Sequence, residues 1–131
     1  MASKLIFDPQ FDPVRRRLHI RYTGFWTIVD ALAVAESFRK VLNETGAARR
    51  DFTLLDDLRD WPVQSQEVLE VTKTFPDLVR NAPITRNAMI IPQALLRLQV
   101  SRTLYDLPNC SVFETFEEAD RWLAEVEPSL G

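Results

Sequence analysis

Three carboxylates crowd one short stretch of the chain, "LLDDLRDWPVQ" at residues 54–64, as Asp56, Asp57 and Asp60. Hard cations and phosphoryl groups use carboxylates grouped in this way, because such ions want several oxygens around them. That chemistry also needs partners. A phosphoaspartyl site requires a lysine and a hydroxyl residue ending neighbouring strands, and the expected strand ends here offer Ile91-Pro92 and Glu114-Thr115, with no lysine. An Asp-x-Asp pair is absent as well. Asp56 is therefore read as the end of a buried strand and Asp57 as the start of its loop. Asp57 and Asp60 are turn-capping residues or partners of Arg59 and Arg86, with a metal- or phosphate-dependent centre at Asp57 and Asp60 as the alternative.

The remaining reactive side chains are few. His19 is the only histidine and alternates with Arg15, Arg17 and Arg21 along one segment, so no nucleophile stands beside it and an exposed, structural histidine is expected. The arginine row either binds an anion or an acidic partner, or forms an outer sheet face that is solvated or covered by a helix. Cys110 is the only cysteine, which rules out an intrachain disulfide and a multi-cysteine zinc site and reads as a small buried hydrophobe. With three glycines in the chain, there is no P-loop, dinucleotide fingerprint, HExxH or GxSxG. No catalytic residue, cofactor or metal is assigned.

The aromatic residues are more informative. Phe25, Trp26 and Trp61 fall in two loops that the fold brings to one edge, where rings can line an apolar pocket or pack as core or dimer contacts.

Composition sets the frame for these residues. In 131 residues, 46% hydrophobic and 27% charged side chains are the balance of one globular domain with a proper core. A net charge of -3 does not favour nucleic acid or an anionic membrane. No stretch approaches the ~20 apolar residues of a membrane span. The N-terminal "MASKLIFDPQ" lacks a signal-peptide core, so a cytoplasmic location is expected.

Periodicity then places the elements. Residues 4 to 8 and 14 to 22 read as two strands joined by "PQFDP"; in the second, Leu18, Ile20 and Tyr22 face one way and Arg17, His19 and Arg21 the other. A helix follows, capped by Thr27 and Asp30, with Ile28, Ala31, Leu32, Ala35, Phe38 and Leu42 inward and Gly46 as its C-terminal cap. "FTLLD" is a strand covered on both faces. Ser65 caps a second helix that must break near Phe75-Pro76, because proline lacks the N–H a helix interior needs. "NAMII" is a strand, Pro92 opens a third helix, and "CSVFE" is the last strand. Thr115 and Glu118 cap a final helix with Phe116, Ala119, Trp122, Leu123 and Val126 inward. The order β-β-α-β-α-β-α-β-α predicts a mixed, mostly parallel five-stranded sheet with an antiparallel strand at one edge and four helices.

In this order, and in "YTGFWTIVDA", "LLDDLRDW", "NAMIIPQALLRLQVSRTLYD" and "VFETFEEADRWLAE", the chain resembles the STAS and SpoIIAA-like proteins, and in particular an uncharacterised bacterial STAS/CRAL-TRIO-like branch. The resemblance implies a single α/β SpoIIAA-like domain acting without catalysis, through a protein partner or a small apolar ligand, with a homodimer as one form. Antagonist STAS proteins carry an Asp-Ser-Ser-Gly-type motif whose serine is phosphorylated. The matching "DLRDWPVQSQEV" keeps only Ser65 as a hydroxyl and has no following glycine, so Ser65 is read first as a helix cap and second as a phosphorylation site. In such sheets ligands bind beyond the carboxyl ends of the strands, which makes Phe25, Trp26, Asp57, Trp61, Pro92 and Gln93 the candidate ligand-binding residues. A purely structural dimerisation domain is the further alternative.

Overall fold

The computed structural model describes residues 6–49, 51–104, 107 and 109–128. The beginning of the first expected strand, at residues 4 and 5, and the end of the third expected helix, at 105 and 106, lie outside them. Ten elements follow in chain order: β1 (Phe7–Asp12), β2 (Arg17–Thr23), α1 (Ile28–Arg49), β3 (Phe52–Asp60), α2 (Gln66–Thr72), α3 (Phe75–Arg80), β4 (Ile84–Ile90), α4 (Ala94–Leu104), β5 (Cys110–Phe113) and α5 (Phe116–Ala124).

The sheet order is β1-β2-β3-β4-β5, with β1 antiparallel to β2 and the other neighbours parallel. Because each crossover steps to the next strand in the same direction, right-handed connections set their helices on one face. Ala31, Val34 and Phe38 of α1, Val68 of α2 and Leu96 of α4 accordingly share one core with Leu18, Ile20 and Leu54. Helix α5, which follows the last strand, closes the opposite face, where Ala119 and Leu123 pack on Leu55, Ala88 and Ile90. Strand β3 is central, and its residues Phe52 to Leu58 are all buried, as expected of a doubly covered strand.

Several local expectations shift. Residues 9 to 12 are strand rather than turn, and the hairpin turns at residues 13–16, with Arg16 at φ 54°. Proline is tolerated in β1 because this is an edge strand. Strand β3 runs on to Asp60, so Asp56 and Asp57 are interior strand residues on opposite faces, not a strand end and a loop start. Their charge suggested a boundary, but pairing with β2 and β4 continues through both.

Thr27 and Asp30 form the expected capping box, at 2.9 and 3.1 Å. The buried stripe of α1 is Ala31, Val34, Phe38, Leu42 and Thr45. Ile28 and Leu32 are 40% and 57% exposed, contrary to expectation. The first turns are apolar nearly all round, and the helix sets its smaller side chains against the sheet. Gly46 does not cap α1, which continues to Arg49. A Cβ at Gly46 would meet Pro83 Cδ at 3.0 Å, so the glycine serves close packing. The second expected helix breaks into α2 and α3 at the Phe75-Pro76 step. Val126 lies past the end of α5 and is exposed rather than inward.

Candidate functional site

Under the helix-bearing face, α2–α3 and α4 leave a cleft of about 630 Å³. Tyr22, Asp56, Leu58, Asn87 and Met89 of the strands line its floor. Phe75, Pro76 and Val79 wall one side, Gln99 and Val100 the other, and Lys73 and Arg102 also line it. The broken second helix is part of this geometry, since Pro76 is buried at the step and its ring faces the cleft lining.

The aromatic end is held by a loop clasp. Gln64 is buried between the β2–α1 and β3–α2 loops: its Oε1 accepts from the Trp26 N–H at 2.8 Å, and its Nε2 donates to the Gly24 and Pro62 carbonyls at 3.1 and 2.8 Å. Gly24 takes φ 83°, a conformation that favours glycine, and its N–H reaches the Asp60 carbonyl at 3.2 Å. Trp26 and Trp61 consequently meet edge-to-face with centroids 5.1 Å apart, and Tyr22 lies 6.2 and 6.4 Å from them. Trp26 Nε1 donates to the Thr23 carbonyl at 2.9 Å, whereas Trp61 Nε1 is buried without a partner among the described residues.

Asp56 lies at the centre of the floor, 3% exposed. It accepts from the Tyr22 hydroxyl at 2.8 Å and from Asn87 Nδ2 at 2.9 Å. Burial pushes its carboxyl up to about 6, against the opposing pull of these two donors. Burial and the neighbouring Asp56 likewise hold the Tyr22 phenol well above its ordinary value. Cys110 Sγ reaches Asn87 Oδ1 at 3.7 Å, and its thiol, buried and near Asp56, is pushed up to about 12. At such a value the thiol is no nucleophile.

The opposite face of the sheet is built differently, because there each buried charge is paired. Arg59 clamps Asp57 through two guanidinium bonds of 2.9 and 2.6 Å and adds its backbone N–H at 3.1 Å. Burial alone would raise the Asp57 carboxyl; these donors instead hold it well below its ordinary range. His19 Nε2 stands 3.7 Å from Asp57, beyond hydrogen-bond reach. Arg21 binds Asp60 at 2.6 Å. Within the arginine row, Arg17 is covered by α5 and the residues after it, held by Glu127 at 2.7 Å and by Asp120 at 2.8 Å, while Arg21 stays exposed. Arg86 pairs with Glu125 rather than with Asp57 or Asp60.

Of the candidate ligand-binding residues, the structure brings Trp26 and Trp61 to the cleft. Asp57 lies on the other face, Phe25 is 65% exposed at the start of α1, and Pro92 and Gln93 are exposed ahead of α4. Ser65 acts as the cap of α2, its Oγ accepting from the Val68 N–H at 3.3 Å. No group of three or more His, Cys, Asp or Glu among the described residues could hold a metal ion. No helix among them is long and apolar enough to cross a membrane.

Asp56 and Asn87 were missed as site residues. The available signal was parity: Phe52, Leu54, Asp56 and Leu58 alternate on one face, so a carboxylate there must be buried beneath the helices.

A five-stranded mixed sheet in sequential order, with crossover helices on one face and a closing helix on the other, defines an α/β domain with an internal cleft. No family model and no curated protein matches the sequence. Among solved structures, the chain is similar to an uncharacterised protein of the DUF3478 family with a SpoIIAA-like fold from Shewanella loihica PV-4. The TM-score is 0.64 at 19% identity, over 94% of this chain and 98% of that one. The chain has the SpoIIAA-like fold.

Proposed function

We propose that this chain is a non-catalytic SpoIIAA-like binding module that holds a small, largely apolar molecule in the cleft between α2–α3 and α4. The observation that carries this reading is the cleft of about 630 Å³. It lies within the range of ~300–1,000 Å³ typical of small-molecule sites. Aromatic and aliphatic walls with a few convergent polar groups are the usual make-up of such sites. Against catalysis speak the clamped Asp57, the paired Asp60 and the high-pKa thiol of Cys110. None of these is poised as a nucleophile or base at neutral pH.

Native mass spectrometry of gently purified protein tests the reading. A non-covalent extra mass is expected, lost on denaturation and absent from a Val79→Trp variant, whose indole would fill the cleft. Absence of any bound mass, together with failure of an environment-sensitive apolar dye to bind the wild type, would overturn it.

A second reading is favoured by Phe25, Val29 and Leu32, exposed at 65, 71 and 57% at successive turns around the start of α1. Such a strip suits a contact with a second copy. Light scattering would show a dimer that Leu32→Lys dissociates; a monomer in both forms would exclude this.

A further inference from the structure

The buried carboxylates of this chain differ in one respect. Glu127 is matched by Arg17 and Asp57 by Arg59. Asp56, buried at the centre of the sheet, has only neutral donors, the Tyr22 hydroxyl and the Asn87 amide. No arginine, lysine or histidine stands within ion-pair distance of it among the described residues. A carboxylate buried without a countercharge is costly, and it lies on the floor of an open cleft rather than in sealed core.

The neighbouring side chains narrow what could complete it. Tyr22, Trp26 and Trp61 all line the cleft, with their three centroids within 6.4 Å of one another. Rings grouped in this way present electron-rich faces that attract a positive charge, most strongly when water is excluded. A buried anion beside grouped aromatic rings is the arrangement that recognises an organic ammonium ion. A metal ion does not fit, because one carboxylate supplies too few oxygens. An anionic ligand would have to approach Asp56 itself. At the edge of the cleft Lys73 is already engaged by Glu70 at 2.6 Å, which leaves Arg102 as the cation facing it.

We propose that the cleft is a site for an organic ammonium ion, a protonated nitrogen on an apolar body, with Asp56 as its counterion and Tyr22, Trp26 and Trp61 around the charge. This rests on the reading of the cleft as a ligand site, and it adds the chemical class. The apolar part of the ligand would lie along Leu58, Met89 and Val79.

The test uses the whole chain and three probes of equal length: octylammonium, 1-octanol and octanoate. Calorimetry and tryptophan fluorescence are run near pH 8, where the Asp56 carboxyl, pushed up to about 6 by burial, is ionised. Octylammonium should bind about tenfold to a hundredfold more tightly than octanol, the range expected for a hydrogen bond to a charged group. Octanoate should bind most weakly. Asp56→Asn should bring octylammonium and octanol to equal affinity, and Glu36→Gln, exposed on α1 outside the cleft lining, should leave the ranking unchanged. Equal binding of octylammonium and octanol by the wild type, or preference for octanoate, would overturn the ammonium assignment and leave the cleft as a site for another class. Binding of none of the three would overturn the binding-module reading and this inference together. The wild-type ranking decides the matter even if Asp56→Asn folds poorly.

Discussion

Replacing Asp56 by asparagine removes the one buried carboxylate among the described residues that lacks a cation, and the effect on stability should depend on pH in a defined direction. The carboxyl moves from 3.8 to about 6 on folding because burial disfavours its charge. At 1.36 kcal/mol per pH unit, ionised Asp56 weakens the folded state by ~3 kcal/mol relative to its protonated form. The folded chain holds the proton more tightly, so the stabilisation is complete below 3.8 and is lost as pH rises through about 6. Between about pH 4 and about pH 7.5 the wild type should therefore lose ~2 kcal/mol that the variant keeps. The amide itself adds a pH-independent cost of ~1 kcal/mol, because its NH₂ must face Tyr22 or Asn87, and only the tyrosine hydroxyl can turn to accept.

Titrating groups that do not couple to Asp56 cancel in the difference between the two proteins. Asp57, whose folded value is depressed, stabilises above its unfolded value and loses that contribution as pH falls, in both proteins alike. Of the groups around Asp56, Tyr22 and Cys110 are raised further from neutrality, Asn87 does not titrate, and His19, on the other face, adds a weaker opposing pull on Asp56 that the variant also loses. Urea unfolding of both proteins across this range measures the difference directly. A difference constant to within ~0.5 kcal/mol would show that Asp56 is solvated as in the unfolded chain, and the argument from its burial would fail.

Three further substitutions probe the frame of the site. Glu127→Gln should cost about 3 kcal/mol in denaturant unfolding, because it leaves buried Arg17 short of its bidentate partner; a cost below ~0.5 kcal/mol would show the pair to be incidental. Ser65→Ala should cost ~1 kcal/mol by removing the cap of α2, while Ser65→Asp should restore most of it; equal loss in both would place the hydroxyl's role elsewhere. Gly46→Ala should fail to deliver the ~1 kcal/mol usual for such a change inside a helix, since its Cβ meets Pro83 at 3.0 Å. The gain should appear once Pro83→Ala is added, and a double-mutant cycle without coupling would refute the contact.

The fold was readable because its signals are local and repeated. Alternation in β2, the apolar run of β3, the Thr27-Asp30 and Thr115-Glu118 boxes and the break at Pro76 each depend on neighbours in sequence. The inward faces of α1 were less readable, because Ile28, Val29, Leu32 and Val34 satisfy two stripes and only the sheet decides between them. Among the site residues, the two tryptophans could be found, since loops rich in large rings stand out. Asp56 could not be separated from Asp57 until the length of β3 was known: one residue of register sends them to opposite faces, one to an uncompensated floor and the other to Arg59. Gln64 gave no signal at all, as its role consists of contacts with loops at Gly24 and Pro62.

The sequential strand order also shapes how the chain can fold as it is synthesised. Each new parallel strand finds its neighbour already made, so the sheet can grow from the β1–β2 hairpin in step with translation, without awaiting a later segment to fill a gap. The exception is Arg17. It is among the first residues of the sheet to emerge, yet its partners Asp120 and Glu127 follow 103 and 110 positions later. Until they arrive, Arg17 stands on one face of the nascent sheet without its carboxylates, which keeps that part of the face wet and resists premature collapse or pairing with another chain. Arrival of α5 and of Glu127 beyond it buries that charge, so a residue that first holds the young sheet in water ends as one of its most enclosed arginines among the described residues.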